Sequence, residues 1–246
     1  MDAEEVIDHI WTNWKNNQGA CQDCPARDNH GGWPLYYGQG SLSTDLMLIG
    51  EEPGGANDPN YDDSKGYAPR EKRDYPEERW ATVDEHHPRS GPSEISIVES
   101  SRIDPVLFKH IEGYTNDSSD SNSTPYYTNT KKSQEIRGQD FGTSDPPVQR
   151  CLPYLDLEVN AIDPKVIVLI GDDATKNFAD RFPINVSETT YDDIFEILCL
   201  TEGPPYIVRS YHWGGKYGMP LEHLSVSSEK EYWEELGKTI NKALKQ

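Results

Sequence analysis

A run of aliphatic residues at positions 164–171 constrains the fold of this chain more than any other feature. Its sequence is Pro-Lys-Val-Ile-Val-Leu-Ile-Gly, so the five residues in front of the glycine carry no polar side chain. A strand with one face in water alternates apolar and polar residues, whereas a continuously apolar strand fits the centre of a parallel sheet that is covered on both faces. The run therefore predicts a buried central strand.

Further strands and helices alternate along the chain on both sides of this run. Besides the central strand, we predict strands at residues 45–50, 125–130, 193–200 and 205–211, and helices at residues 3–16, 101–114, 147–161, 172–179 and 228–245. Strands that alternate with helices indicate an α/β fold. We expect a three-layer α/β/α sandwich around a mostly parallel sheet of about four to five strands. We also expect a single domain that spans residues 1–246.

A polar stretch interrupts this alternation at residues 56–95. It is rich in proline, aspartate and glycine, and we interpret it as an insertion or lid within the domain.

The chain has no run of about 18 apolar residues, and its acidic start lacks the features of a signal peptide. We therefore expect a cytoplasmic protein with no membrane partner, and nothing in the sequence demands more than a monomer.

The charge of the chain is strongly negative. Its 23 basic and 43 acidic residues give a formal net charge of -20, and only 34% of the residues are hydrophobic. The acidic residues are spread along the whole chain, which favours adaptation to molar salt, as in an extreme halophile, over a mildly acidic mesophilic protein. A negative surface repels DNA at ordinary salt, but molar salt screens that repulsion. The net charge therefore does not exclude nucleic acid as a partner.

Polar residues lie at the carboxyl ends of three predicted strands, where open α/β sheets bind their ligands. Glu51 and Glu52 follow the first strand, Asn129 lies at the end of the second, and His212 follows the last. A carboxylate there could orient a water or stabilise a cation, and an asparagine amide suits the edge of a pyrimidine. His212 could donate a hydrogen bond to an oxygen that gains negative charge, and Trp213 could stack on a base.

Each of these residues also has a plain structural interpretation. The glutamate pair fits salt adaptation, an asparagine at a strand end is commonly a turn residue, and a lone histidine commonly has a structural role. Their shared position at the strand ends favours the functional interpretation.

The spacing of Cys21 and Cys24 suits metal ligands, and cysteines in a long intracellular chain indicate metal sites or buried thiols more readily than disulfides.

Taken in order, these segments resemble the uracil-DNA glycosylase superfamily, and most closely its thermostable iron–sulfur branch. Residues 45–54 resemble the branch's first motif, a strand followed by Gly-Glu-Ala-Pro-Gly, and residues 126–132 resemble its Tyr-Ile-Thr-Asn-Val-Val-Lys segment. Residues 150–171 resemble its Cys-Arg-Pro-Tyr-Leu helix and the strand after it, and Tyr211-His212 resembles the start of its His-Pro-Ser motif. Together with the first cysteines, the resemblance spans residues 21–215.

The resemblance implies a role for each residue of the site. Glu51 matches the catalytic glutamate of the iron–sulfur branch, and Glu52 matches the aspartate of the common bacterial and eukaryotic branch. Asn129 matches the asparagine that recognises uracil, and His212 matches the histidine that stabilises the leaving uracil anion. The residues expected to bind the substrate are Gly50, Pro53, Gly54, Tyr67, Asn129 and Trp213.

Two of these positions depart from the family pattern. The aromatic residue that stacks on uracil follows a Gly-Xaa-Pro-Phe segment in the family, and residues 65–69 are the nearest substitute here, which makes Tyr67 the candidate. The His-Pro-Ser motif is replaced by His-Trp-Gly at residues 212–214. That change alters the loop which wedges into the minor groove, so it puts activity on duplex DNA in question.

The cysteines match the metal site of the iron–sulfur branch only in part. Cys21, Cys24 and Cys151 match three of its four cysteines, and Ser133 stands at the fourth position. Three states remain open: a 4Fe-4S cluster with an unusual fourth ligand, a structural zinc completed by a histidine such as His30, and an empty site. The expected chemistry itself needs no cofactor.

The sequence therefore predicts a DNA repair glycosylase. Such an enzyme hydrolyses the N-glycosidic bond of uracil, or of another deaminated base, that is flipped out of duplex or single-stranded DNA. The alternative from a different class is a non-catalytic nucleic-acid-binding protein with the same fold. A metal-assisted nucleotide hydrolase or deaminase is a third interpretation, but the chain lacks a His-Xaa-Glu element near its cysteines.

Overall fold

The structure, a computed structural model, describes ten stretches of the chain: residues 1–24, 38, 40–51, 105–114, 124–132, 146–184, 194–200, 203–211, 221 and 224–246. The predicted insertion at residues 56–95 lies outside them. The helices within these stretches are too short or too polar to span a lipid bilayer. Contacts divide the chain into two compact units: Met1–Gly38, Glu52–Glu94 and Asn129–Ala161 form the first, and Gln39–Glu51, Ile95–Thr128 and Ile162–Gln246 form the second. The single domain over residues 1–246 stays a prediction.

Helices and strands alternate in the described stretches. The helices are α1 (Ala3–Lys15), α2 (Pro105–Lys109), α3 (Pro146–Ile162), α4 (Asp172–Ala179) and α5 (Glu229–Leu244). The strands are β1 (Leu46–Gly50), β2 (Tyr126–Asn129), β3 (Val166–Ile170), β4 (Ile197–Cys199) and β5 (Tyr206–Ser210). Most of them lie within a few residues of the predicted bounds.

The five strands form one sheet in the order β2-β1-β3-β5-β4. Strand β3 pairs in parallel with β1 on one side and with β5 on the other, and β4 runs antiparallel to β5. Every residue of β1 and β3 is buried, so both faces of the sheet are covered at its centre. The central strand predicted from the apolar run is confirmed. A mostly parallel sheet with flanking helices is consistent with the expected three-layer α/β/α fold.

One face of the sheet in the second unit packs against α2 and α5. Leu48 and Val168 point into a cluster that also contains Leu107 from α2 and Trp233 from α5. A Cβ atom added to Gly237 of α5 would lie 2.7 Å from His110 Cβ and 2.9 Å from the Leu107 carbonyl oxygen. The glycine therefore allows these two helices to approach each other closely.

Two predicted elements are shorter than expected. Helix α2 ends at Lys109, and i→i+3 hydrogen bonds continue from there to Tyr114, with Gly113 in the left-handed region at φ 81. The predicted helix to residue 114 is therefore wrong in its last turn, because the chain tightens and then reverses at the glycine. The strand predicted at 193–200 is shorter too, since Ile194 makes only an isolated bridge to Arg209.

Candidate functional site

The parallel register places the ends of three strands at one edge of the sheet in the second unit. Ile49 is paired with Leu169, and Ile170 with Ser210. Continuing the same register brings Glu51, Gly171 and Tyr211 level with one another, one step beyond the last residue of each strand. The Gly171 amide donates to the Ser210 carbonyl at 2.8 Å, which ties two of these strand ends together. Glu51, half-buried, follows Gly50 directly.

Hydrogen bonds to a buried tyrosine fix the end of β5. The Tyr211 amide donates to the Tyr232 hydroxyl at 3.0 Å, that hydroxyl lies 2.9 Å from Ser210 Oγ, and Ser210 Oγ donates to the Tyr211 carbonyl at 3.1 Å. Because Ser210 gives its proton to that carbonyl, Tyr232 donates to Ser210, and the three bonds form a closed ring. Burial raises the pKa of Tyr232 to about 12, so the phenol stays neutral. The backbone in front of residue 212 is therefore held firmly.

Asn129 ends β2 and belongs to the first unit. It is completely buried, as are Thr128 and Thr130 on either side of it. Its main-chain carbonyl accepts a hydrogen bond of 2.8 Å from the Lys132 ammonium, which also forms an ion pair with Glu158 of α3. The strand end that carries the asparagine is thus attached to a helix of the same unit.

The three cysteines expected to bind metal are neighbours within the first unit. Cys21 Sγ lies 3.5 Å from the Tyr154 hydroxyl, one helical turn beyond Cys151 on α3, and the Lys132 amide donates to Cys151 Sγ at 3.3 Å. Burial raises the pKa of the Cys151 thiol to about 12, and negative charge on Cys21 or Cys24 raises it further. None of the three forms a disulfide within the described residues, and Cys21 and Cys24 act electrostatically on Cys151.

The expected metal site at these cysteines stays a prediction. Among the described residues, no group of three or more His, Cys, Asp or Glu side chains is arranged to hold a metal ion. Ser133 and His30, the candidate fourth ligands, lie outside the described residues. No chemical step is derived through a metal.

The remaining predicted site residues fall outside the described stretches. These are Glu52, Pro53, Gly54, Tyr67, His212 and Trp213. The structure brings Glu51 and the residue in front of His212 to the same edge of the sheet. The meeting of this edge with Asn129 in one base pocket stays a prediction. A groove of ≈ 570 Å³ between β4 and α5 contains none of the predicted residues.

Sequence reasoning missed three residues that hold the site's backbone: Lys132, Glu158 and Tyr232. Glu158 had a signal, because it lies four and seven residues after Tyr154 and Cys151 on the buried stripe of α3. A carboxylate in such a stripe needs a buried cation as partner. The hydroxyl of Tyr232 gave no signal, since a tyrosine within an apolar helix face is ordinary.

A comparison with protein-family models decides the family. The model of the uracil DNA glycosylase superfamily matches residues 37–237, which include the whole sheet and its strand ends. The chain belongs to this superfamily. A search of curated proteins finds no significant match. Membership supports a glycosylase-type hydrolase that acts on DNA in repair, and it agrees with the α/β fold.

Proposed function

We propose that this protein is a monofunctional DNA glycosylase that removes uracil, or another deaminated base, from DNA. The family match carries the proposal, because superfamily members of this fold act on flipped-out bases. The position of Glu51 agrees with it, since a carboxylate at the carboxyl edge of a parallel sheet lies where such sheets bind ligands. We further propose that the protein acts as a cytoplasmic monomer.

The proposed reaction proceeds without a covalent intermediate. The glycosidic bond loosens into an oxocarbenium-like state, and Glu51 or Glu52 stabilises that cation or orients the attacking water. His212 donates a hydrogen bond to the O2 atom of the departing uracil, which gains negative charge. The Asn129 amide pairs with the edge of the base and selects it. The glutamate and His212 thus stabilise charge that develops only as the bond breaks, whereas Asn129 recognises the base before it leaves.

Release of free uracil from a labelled oligonucleotide in molar KCl tests the proposal. His212→Ala is expected to lower the rate by about 100- to 1,000-fold, the usual effect of removing one donor to a developing anion. Comparison of Glu51→Gln with Glu52→Gln identifies the working carboxylate. Glu4→Gln, at an exposed position of α1, is the matched control and should leave the rate unchanged. No uracil release by folded wild-type protein at any salt concentration contradicts the proposal.

The altered His-Trp-Gly segment at residues 212–214 favours a second candidate, a non-catalytic protein that binds nucleic acid. Fluorescence anisotropy with uracil-containing and uracil-free oligonucleotides, duplex and single-stranded, tests it. Tight binding without product supports the binding protein. Product formation on single strands alone supports a glycosylase whose altered loop no longer opens a duplex.

We propose a structural role for any metal at Cys21, Cys24 and Cys151. Elemental analysis and the visible spectrum of anaerobically purified protein separate a 4Fe-4S cluster, zinc and an empty site. Because no reacting group depends on the metal, chelation is expected to lower thermal stability more than the rate of the folded fraction. A complete loss of rate with unchanged folding contradicts a purely structural role.

A further inference from the structure

The first unit contains an ion pair that is shut off from water. The side chain of Lys132 is 3% exposed and that of Glu158 is 0% exposed. Removing two charges from water costs about as much as their attraction returns, and apolar residues of similar volume often stabilise a protein as well or better. A gain in stability is therefore a weak explanation for the burial of this ion pair. The other contacts of Lys132 suggest a different role.

Lys132 holds the end of β2 through its side chain and through its main chain. Its ammonium donates to the Asn129 carbonyl at 2.8 Å, and its own amide donates to Cys151 Sγ at 3.3 Å. Glu158 accepts from the same ammonium and lies on α3, the helix that also carries Cys151. An ammonium has three donors in rotatable positions, and Glu158 orients it so that one of them meets the Asn129 carbonyl. The turn at residues 129–132 is thus fixed to a helix through charge-assisted and main-chain hydrogen bonds.

We infer that the buried Lys132–Glu158 pair positions Asn129 for base recognition. The inference rests on the proposed function, in which the Asn129 amide pairs with the base. Two hydrogen bonds to a pyrimidine edge require the amide to be held within about 0.5 Å and 10–20°. A side chain of two torsions inherits the position of its main chain, so an anchor on the Asn129 carbonyl sets where the amide can point. Lys132 and Glu158 are positioning residues that touch neither base nor sugar.

The double variant Lys132→Met/Glu158→Leu separates positioning from folding. It replaces the pair by apolar side chains, so neither charge is left alone in the interior and the fold is expected to survive. The matched control is Lys165→Met/Asp45→Leu, which removes a partly exposed ion pair of 2.8 Å in the second unit. Both variants lose one salt bridge, but only the first loses the donor to Asn129.

Two measurements are made on each folded variant in molar KCl. Hydrogen–deuterium exchange of the peptide that covers residues 126–132 is expected to speed up in the first variant alone. In the Lys132→Met/Glu158→Leu variant, the kcat for uracil release is expected to fall by about 100-fold, with little change in KM. A misplacement of a reacting group by about 1 Å has an effect of this size. Preference for uracil over cytosine should fall with it.

The outcomes distinguish this inference from the proposed function. Faster exchange with unchanged kcat and base preference overturns the inference, and so does a loss of kcat with unchanged exchange. If the wild type releases no uracil, the proposed function fails, while the exchange measurement still shows whether the pair holds the turn. An equal loss of kcat in the control variant would also overturn the inference, because salt-bridge loss in general would then explain it.

Discussion

Removal of the Tyr232 hydroxyl perturbs the end of β5 while it preserves the packing around it. The Tyr232→Phe variant keeps an aromatic ring that is completely buried and lies 5.6 Å, centroid to centroid, from the ring of Tyr211. It loses the acceptor for the Tyr211 amide at 3.0 Å. Ser210 keeps its bond to the Tyr211 carbonyl, so the amide bears most of the loss.

The size of the effect follows from that buried amide. A buried donor that loses its acceptor costs about 1–3 kcal/mol, and water cannot replace the phenol because Tyr211 is only 7% exposed. We therefore expect a loss of about 2 kcal/mol in the free energy of unfolding. For a chain of this size that corresponds to a fall in Tm of about 4–8 °C.

Thermal and urea unfolding of wild type and variant in molar KCl measure this loss. Tyr206→Phe is the matched control, because Tyr206 starts the same strand, is half-buried, and has a hydroxyl that makes no hydrogen bond to the described residues. A loss below about 0.5 kcal/mol, or an equal loss in the control, refutes the reasoning. Uracil release should also fall in Tyr232→Phe, since residue 212 follows the loosened amide.

Three further predictions use other parts of the molecule. Gly237→Ala is expected to destabilise the protein by about 1–3 kcal/mol despite the better helix propensity of alanine, because of the clash with α2; an increase in Tm contradicts this. Iodoacetamide followed by mass spectrometry should label exposed Cys199 in native protein and buried Cys151 only after unfolding; equal labelling contradicts the structure. Tm should rise from low to molar KCl because salt screens the net charge of -20; a flat profile contradicts salt adaptation.

The sheet could be predicted from the sequence because its signal is local. The apolar run that became β3 is typical of a strand that is covered on both faces, and Gly50 marked the end of β1. The early end of α2 was missed since the apolar spacing continues through Ile111, while the i→i+3 turns and Gly113 that end the helix depend on packing. The spacing of apolar residues indicates which face of a helix is buried, but it does not indicate where α-helical hydrogen bonds give way to i→i+3 bonds.

Within the candidate site, the position of Glu51 could be predicted from the sequence, whereas the buried residues that hold the backbone could not. Glu51 was placed at the edge of the sheet by the rule that ligands bind beyond parallel strands, and the register agrees. Lys132 gave no such signal, because a lysine after a strand usually faces solvent, and only the fold brings it to Glu158 across a sequence separation of 26. Long-range pairing of this kind is invisible in a single sequence.

A crystal structure with uracil bound, grown in molar KCl, tests the central claim most directly. The account predicts uracil with its amide edge about 3 Å from the Asn129 side chain, with His212 near O2 and the Glu51–Glu52 turn on the side where the sugar would lie. The account is contradicted if the structure places these three groups on different faces of the molecule, or if uracil binds where none of them can reach it.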